Sequence, residues 1–348
     1  MKNINKIVML IVLAVCAMAC NDDFLERRPL NSISDASFWK TTNDLRLYTN
    51  IFYARDELVP WKITWGTLGI YSEDAEKGSD TQIKTTYDRR FNGELTIQPD
   101  GDGWTWNVLR EINYFMDNYN RVEAPFEEIK PYVGETLFFR SIFYFARLRR
   151  YGDVPWVSTT VQLDSDILYG ERLPRNQVVD SIMADLDTAI EYLPARAGGV
   201  WTGRVTKELA MALQARIALY EGTWEKYHAN DDFKPAVNQS DKFLEKAAQV
   251  AGDLITMSEK SGYPALDNVG VENGYRDLFN LEDYSASKEV LFWRKFEVRD
   301  DFYNVIDRYT GTGADVGVTK SMIDSYLMED GTPVKPGYDD ATLVKVAE

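Results

Sequence analysis

The chain has 348 residues, with 55 acidic and 39 basic side chains and a formal net charge of −16 at pH 7. This balance argues against nucleic acid as a partner, because nucleic-acid binding relies on cations that neutralise phosphates. Aromatic residues make up 13% of the chain, enough for a substantial core with Trp and Tyr left over for a binding surface.

The first 19 residues have the features of a secretory signal peptide. Two lysines precede an uncharged apolar run over residues 7–19, which is shorter than the ~20 residues of a membrane-spanning helix. An Ala-Met-Ala sequence comes directly before Cys20. We therefore predict a signal peptide at 1–19 and lipid attachment at Cys20, with a buried N-terminal helix as the alternative. Cys16 is then removed with the signal peptide, and the mature chain forms no internal disulfide.

Helical spacing next predicts a helix that begins near the N-terminal caps Ser34 or Asp35. Phe38, Leu45 and Phe52 recur at intervals that place them on one helical face. Ser and Asp are favourable caps because their side chains accept hydrogen bonds from free backbone N–H groups.

Residues 61–103 contain six glycines and no sustained helical period, which predicts loops with short strands. The loop and the tryptophans after it combine aromatic rings with polar groups, as a sugar site does when rings stack on C–H faces and polar groups bind hydroxyls. The candidate glycan-binding residues are Tyr71, Tyr87, Trp61, Trp65, Asp74, Arg89 and Trp104. Packing in the core, or against the following helix, is the alternative for the tryptophans. Tyr263, Tyr275 and Trp293 are secondary candidates.

Residues 134–155 predict a long helix that is covered on more than one side. One apolar stripe runs through Phe138 and a second runs beside it through Phe143, so that the helix is apolar over most of its circumference. Gly152 fits the position that ends a helix, and Pro155 prevents its continuation.

Three amphipathic helices follow, over residues 176–194, 206–222 and 240–255. The first is predicted to turn its acidic residues, Asp185 among them, away from the core. The second is predicted to end at Gly222 and to present alanines that let a neighbour approach closely. Antiparallel helix pairs with small residues at their contacts are typical of a tetratricopeptide-like solenoid.

The remaining segments predict less regular structure. Residues 289–296 are typical of a short strand, residues 311–317 of a loop, and residues 319–331 of a capped helix. The glycines of residues 311–317 do not match the dinucleotide fingerprint.

The chain contains a single histidine, His228, so that a Ser-His-Asp triad would depend on one loop residue. We predict no catalytic residue, no metal and no cofactor. With 55 acidic residues, some carboxylate pair will lie within the roughly 5–10 Å that glycoside hydrolysis uses. A hydrolase is therefore kept as an alternative.

Five segments, taken in order, resemble the SusD/RagB family of outer-membrane lipoproteins. They are CNDDFLERRPLNSISDASFW at 20–39, GETLFFRSIFYFARLRRYGDVP at 134–155, RLPRNQVVDSIMADLDTAIEYLP at 172–194, GRVTKELAMALQARIALYEG at 203–222 and TKSMIDSYLMEDGTPV at 319–334.

The resemblance implies a mostly α fold in which tetratricopeptide-like helical pairs pack against an irregular, loop-rich part with short strands. It divides the mature chain into a helical region at 20–260, with a loop insertion at 61–103, and a C-terminal region at 261–348 that is shorter than in the family. It also implies a lipid anchor in the outer membrane, exposure at the cell surface, an oligosaccharide ligand and a TonB-dependent transporter as partner.

The function predicted from the resemblance is non-enzymatic capture of glycans for delivery to that transporter. Two alternatives stay open: an exported polysaccharide hydrolase, and a tetratricopeptide-like adaptor that binds peptides on its concave helical face.

Overall fold

The computed structural model describes residues 38–59, 81–83, 96, 104–196, 202–267, 270, 274–297, 316–318, 327–328 and 331–332. Helices dominate that part of the chain, which confirms the mostly α fold class. The α-helices are α1 (Thr42–Tyr53), α2 (Asn107–Asn118), α3 (Phe126–Tyr151), α4 (Arg175–Tyr192), α5 (Lys207–Tyr227), α6 (Ser240–Ser261) and α7 (Gly274–Phe279). The other described elements are β1 (Thr81–Ile83), β2 (Val316–Val318) and the 3-10 helices Tyr119–Arg121 and Asp166–Tyr169.

Helix α3 lies at the centre of the core, as its apolar circumference predicts. Phe138, Phe143 and Leu148 on this helix are each no more than 2% exposed, and helices α1, α2 and α4 all contact it. The helix ends at Gly152, whose φ of 72° suits glycine. The prediction of a helix covered on several sides is therefore confirmed.

The later helices pack in sequence order. Helix α3 contacts α4, α4 contacts α5, and α5 contacts α6. Consecutive packing of this kind forms the tetratricopeptide-like array that the sequence predicts.

Helix α1 begins later than predicted. Residues 38–41 bend, and the helix starts at Thr42. The carboxylate of Asp44 accepts hydrogen bonds from the backbone N–H of Thr41 at 2.8 Å and of Lys40 at 3.0 Å. This acid, three residues after the cap, fixes the start of the helix, so the prediction of a start near Ser34 or Asp35 is wrong.

Helix α5 continues past Gly222, which was predicted to end it. Gly222 lies within the helix at its contact with α6, where an added Cβ would be 2.8 Å from Leu244 Cγ and 2.9 Å from Leu244 N. The glycine is therefore explained by the close approach of two helices and not by a helix end.

Asp185 also differs from its prediction, because it is only 8% exposed. Its carboxylate accepts two hydrogen bonds from the Arg140 guanidinium, at 2.6 and 2.7 Å. The ion pair joins α3 to α4, and such pairing is what makes burial of a charge tolerable.

The described strands form one small antiparallel sheet, in which Thr81 is opposite Val318 and Ile83 is opposite Val316. Residues 316–317 therefore belong to a strand and not to the predicted loop. Residues 291–296 form no strand, so the prediction of a strand there is wrong. None of the helices in the described part of the chain combines the length and apolarity needed to span a membrane.

Candidate functional site

A cleft lies between helix α2 and the segment that joins α3 to α4. We name it the Trp104 cleft; its volume is about 410 Å³. Its lining residues are Trp104, Trp106, Asn107, Leu109, Arg110, Asn113, Pro155, Val157, Thr159, Val161, Gln162, Leu163, Ile167 and Leu168.

Side chains, not strand pairing, hold the outer wall of the cleft in place. Asn113 Nδ2 donates to the carbonyls of Val157 and Thr159, at 3.0 and 3.1 Å. Arg110 donates to the Val161 carbonyl at 3.0 Å. The segment therefore keeps its irregular course while its backbone groups are satisfied.

A buried tyrosine anchors the same segment from α3. The Tyr144 hydroxyl donates to the Val157 carbonyl at 3.0 Å and accepts from the Val157 N–H at 2.7 Å. Burial raises the pKa of Tyr144. Its ring stacks on Trp156 with the centroids 4.1 Å apart, which places Trp156 in the support of the cleft.

Asn113, which lines the cleft, has one buried polar atom without a hydrogen-bond partner among the described residues. The residue is 1% exposed, and both observed hydrogen bonds use Nδ2. Its Oδ1 has no hydrogen-bond partner among the described residues. A buried acceptor without a partner is costly, and the carbonyls around Nδ2 fix the orientation of the amide. Asn113 therefore carries a buried acceptor with unused hydrogen-bonding capacity at the wall of the cleft.

The two tryptophans form an aromatic wall. Trp104 and Trp106 meet edge to face with centroids 4.9 Å apart. Trp104 also contacts Tyr151 at 4.8 Å, and the Arg172 guanidinium lies 4.8 Å from its ring. Both tryptophans are half-buried, so they pack against the helices and line the cleft at once. The two interpretations of these residues are thus compatible.

The rim of the cleft is aliphatic and open. Leu163 is 95% exposed and Leu168 is 51% exposed. Among the described residues that line the cleft, Arg110 is the charged one, and none is Asp, Glu or His. The described lining offers stacking surfaces, amides and one guanidinium.

Of the predicted glycan-binding residues, Trp104 lies in the described part of the chain and lines the cleft. The other candidates are Tyr71, Tyr87, Trp61, Trp65, Asp74 and Arg89. They lie outside the described residues, as does the predicted lipid attachment site Cys20. Their roles stay predictions.

Sequence reasoning missed Asn113 and the wall at 155–168. Asn113 occurs in an amphipathic helix, where an amide is ordinarily solvated, and the signal that marks it is its place among the buried residues Ile112 and Phe115. Nothing in the segment after Pro155 resembles a known motif, because its fold depends on side chains from α2 and α3.

The secondary candidates have separate surroundings. Tyr263 is 4% exposed and packs under the Arg196 guanidinium at 4.4 Å. Trp293 lines a second cleft, and the Tyr275 side chain is outside the described part of the structure.

His228 caps the end of α5, is half-buried and contacts Asp231 at 2.5 Å. In the described part of the chain, no three His, Cys, Asp or Glu side chains are grouped as metal ligands.

Comparisons with known proteins agree with this architecture. Residues 100–219 match the model of a SusD-like family described as starch-binding and associating with the outer membrane. A SusD-like protein of Formosa agariphila is 25% identical, over 81% of this chain and 51% of its own length. A SusD-like protein of Bacteroides ovatus is 23% identical, over 82% of this chain and 49% of its own length.

Solved structures show the same fold. A SusD-like protein from Bacteroides fragilis matches with a TM-score of 0.64 at 24% identity, over 90% of this chain and 58% of that structure. A SusD-like carbohydrate-binding protein from the same species also has a TM-score of 0.64, at 16% identity, over 87% and 57%.

The family model, the curated relatives and the solved structures together support the SusD/RagB family for this chain. The predicted resemblance to this family is thereby confirmed, and the segments at 134–155 and 172–194 lie wholly within the residues that the family model matches. The chain spans about half the length of the curated relatives it matches.

Proposed function

We propose that this protein is a non-enzymatic surface lipoprotein that captures glycans and delivers them to a TonB-dependent outer-membrane transporter. The matched family is a carbohydrate-binding one, which supports a glycan-binding role. The observation that supports the proposal for this chain is a cleft lined by Trp104, Trp106 and Asn113, in which Asn113 Oδ1 is a buried acceptor without a hydrogen-bond partner among the described residues.

The chemistry of the cleft suits a neutral sugar. A pyranose presents C–H groups to an indole ring and hydroxyls to amides, and Trp104 and Asn113 supply one of each. A sugar hydroxyl that donates to Asn113 Oδ1 removes the cost of a buried acceptor without a partner. Asn107 and Gln162 at the rim provide further amides.

The test is calorimetry on residues 21–348 with neutral oligosaccharides, starting with linear glucans. We expect Trp104→Ala to weaken binding by about 1 kcal/mol or more, at least about fivefold in Kd. Tyr227, which is 80% exposed and is not among the residues that line the cleft, provides the matched control Tyr227→Ala, for which no change is expected. The ligand is expected to be recovered intact.

Two outcomes favour the alternatives. Release of new reducing ends by the purified chain indicates a hydrolase. Binding of peptides but of no glycan, unaffected by Trp104→Ala, indicates a peptide-binding adaptor.

Membrane attachment and partner are tested in the native host. Cys20, directly after the predicted signal peptide, supports the lipid anchor, and the family's outer-membrane description supports the location. We expect the full chain to co-purify with a large β-barrel transporter from detergent-solubilised outer membranes, and Cys20→Ala to appear in soluble fractions. Recovery of the wild-type chain without any barrel contradicts the delivery role.

A further inference from the structure

A second cleft lies at the end of helix α1, where that helix meets the segment after Val290. We name it the Arg294 cleft; its volume is about 360 Å³. Its lining residues are Asn50, Tyr53, Ala54, Gly203, Phe292, Trp293, Arg294 and Lys295. It shares no lining residue with the Trp104 cleft.

The amide of Asn50 is oriented so that it offers hydrogen-bond donors. Arg204 donates from Nη1 to Asn50 Oδ1 at 2.8 Å. The same guanidinium donates from Nε to Glu135 Oε1 at 2.6 Å and from Nη2 to Thr49 Oγ1 at 2.6 Å. Because this network occupies Asn50 Oδ1, the side-chain group left for a ligand is the NH₂.

The hydroxyl of Tyr53 is used inside the protein. It accepts from the Val205 N–H at 2.9 Å and is hydrogen-bonded to Glu135. Burial, reinforced by the charge of Glu135, raises the pKa of Tyr53. Tyr53 therefore contributes its ring to the cleft and remains neutral there.

Two further side chains that line the cleft, Arg294 and Lys295, are cations. Burial lowers the pKa of the Arg294 guanidinium, and the nearby carboxylate of Asp56 opposes that effect in part. Lys295 Nζ lies 3.3 Å from Asp283, with the two side chains 52% and 47% exposed. An ion pair so exposed is weak, so that Lys295 is free to exchange its partner for a ligand.

Three side chains that line this cleft thus carry hydrogen-bond donors: those of Asn50, Arg294 and Lys295. Three aromatic rings, those of Tyr53, Phe292 and Trp293, stand beside them. Rings stack on sugar C–H faces, while Arg and Lys recognise carboxylates and sulfates. We propose that the Arg294 cleft is a second ligand site, which binds a saccharide carrying an anionic group.

The choice of a saccharide rests on the proposed function, whereas the anionic group rests on the residues of this cleft alone. The test is calorimetry on residues 21–348 at low salt with three probes of similar length. They are an oligogalacturonate, a sulfated galactan oligosaccharide and the uncharged galactan. The first two distinguish a carboxylate from a sulfate as the preferred group, and the third measures binding without charge.

The main variant is the double substitution Arg294→Gln with Lys295→Gln. We expect it to weaken binding of at least one anionic probe by about tenfold or more, the effect of about one charge-assisted hydrogen bond. Uncharged galactan should bind the wild type and the variant alike. The matched control Arg216→Gln with Lys234→Gln removes two exposed cations from outside the cleft and should leave anion affinity within about twofold.

A second variant covers the case in which the main variant does not fold. Asn50→Asp keeps an oxygen acceptor for Arg204 and replaces the ligand-facing NH₂ with a second oxygen. It should weaken anionic probes, and the loss should shrink as salt is added.

The proposal is overturned if no anionic probe binds the wild type, or if binding is unchanged in both variants. Trp104→Ala separates the two sites. If that variant loses neutral glucan binding and keeps anion binding, the result supports both sites. If anion binding is lost only in Trp104→Ala, the anionic probe binds in the Trp104 cleft and the proposal for the Arg294 cleft is overturned. Failure of glucan binding alone counts against the proposed function and leaves the Arg294 cleft standing.

Discussion

Glu225 and Glu221 are one helical turn apart on α5, and both side chains are fully buried. Glu221 is neutralised by Arg175, which donates to both of its carboxylate oxygens at 2.7 Å. Glu225 accepts from the backbone N–H of Gln239, and its Oε1 has no hydrogen-bond partner among the described residues. Arg175 thus forms its ion pair with Glu221 and acts on Glu225 only through its charge.

This arrangement makes Glu225 a source of pH-dependent stability. Burial and repulsion from Glu221 raise its pKa, against the hydrogen bond from Gln239. The folded state therefore holds the Glu225 proton more tightly than the unfolded state does. Its contribution to stability is fully present below the unfolded pKa of about 4.3 and is lost as pH rises through the folded pKa.

We expect Glu225→Gln to become progressively more stable, relative to the wild type, as pH rises from 4 to 8. The measurement is urea unfolding at several pH values, compared between the two proteins. Glu221→Ala is the contrasting variant, because it leaves Arg175 buried without its carboxylate. It should cost about 3–5 kcal/mol at pH 7. A pH-independent difference between Glu225→Gln and the wild type contradicts this account of Glu225.

At the scale of elements, two glycines on adjacent helices differ in what surrounds them. One lies at a close contact between helices, and the other has open space beside it. Gly222 faces Leu244 across the α5–α6 contact, at distances that leave no room for a methyl group. Gly252 on α6 is exposed, and an added Cβ would meet no atom within 4 Å.

We expect opposite outcomes for the two alanine substitutions. Gly222→Ala should destabilise the protein by about 1–3 kcal/mol, because the backbone N of Leu244 has to move. Gly252→Ala should stabilise it by about 0.5–1 kcal/mol, because alanine favours the helix and restricts the unfolded chain. Thermal unfolding followed by circular dichroism measures both changes in stability. If Gly252→Ala destabilises the protein as much as Gly222→Ala does, packing does not distinguish the two sites.

The sequence predicted helices correctly where many residues share one periodic pattern. It failed to predict the role of a residue where that role depends on a single contact with another helix. The stripes through Phe138 and Phe143 identify α3, because many residues carry the same signal. Gly222 and Asp185 were misinterpreted because their roles depend on single partners, Leu244 and Arg140, that lie on other helices. Sequence spacing on one helix contains no record of those partners.

At the scale of the whole molecule, three arginines pair with buried carboxylates that come from distant parts of the chain. The guanidinium–carboxylate pairs Arg140–Asp185, Arg175–Glu221 and Arg204–Glu135 join distant segments, and each has a carboxylate that is at most 11% exposed. Some of the basic side chains of this acidic chain are thus used in buried ion pairs. Neither cleft has a carboxylate among its described lining residues, which sets both apart from the acidic composition of the chain.

The site was less predictable than the fold, for a physical reason. Trp104 could be chosen from its residue type and neighbours, since aromatic rings beside polar groups suit sugars. Asn113 and Val157 could not, because the cleft exists only where α2 meets a segment more than 40 residues later along the chain, through hydrogen bonds to its backbone. Such contacts are set by tertiary packing and leave no local pattern.

The consecutive packing of α3 to α6 has a consequence for how the chain acquires its structure. The main helix–helix contacts there join neighbours in sequence, and contacts of short separation close with little loss of chain entropy. Folding can therefore propagate from one helical hairpin to the next. In native-state hydrogen exchange, amides of α6 should open before those of α3, which has neighbours on several sides.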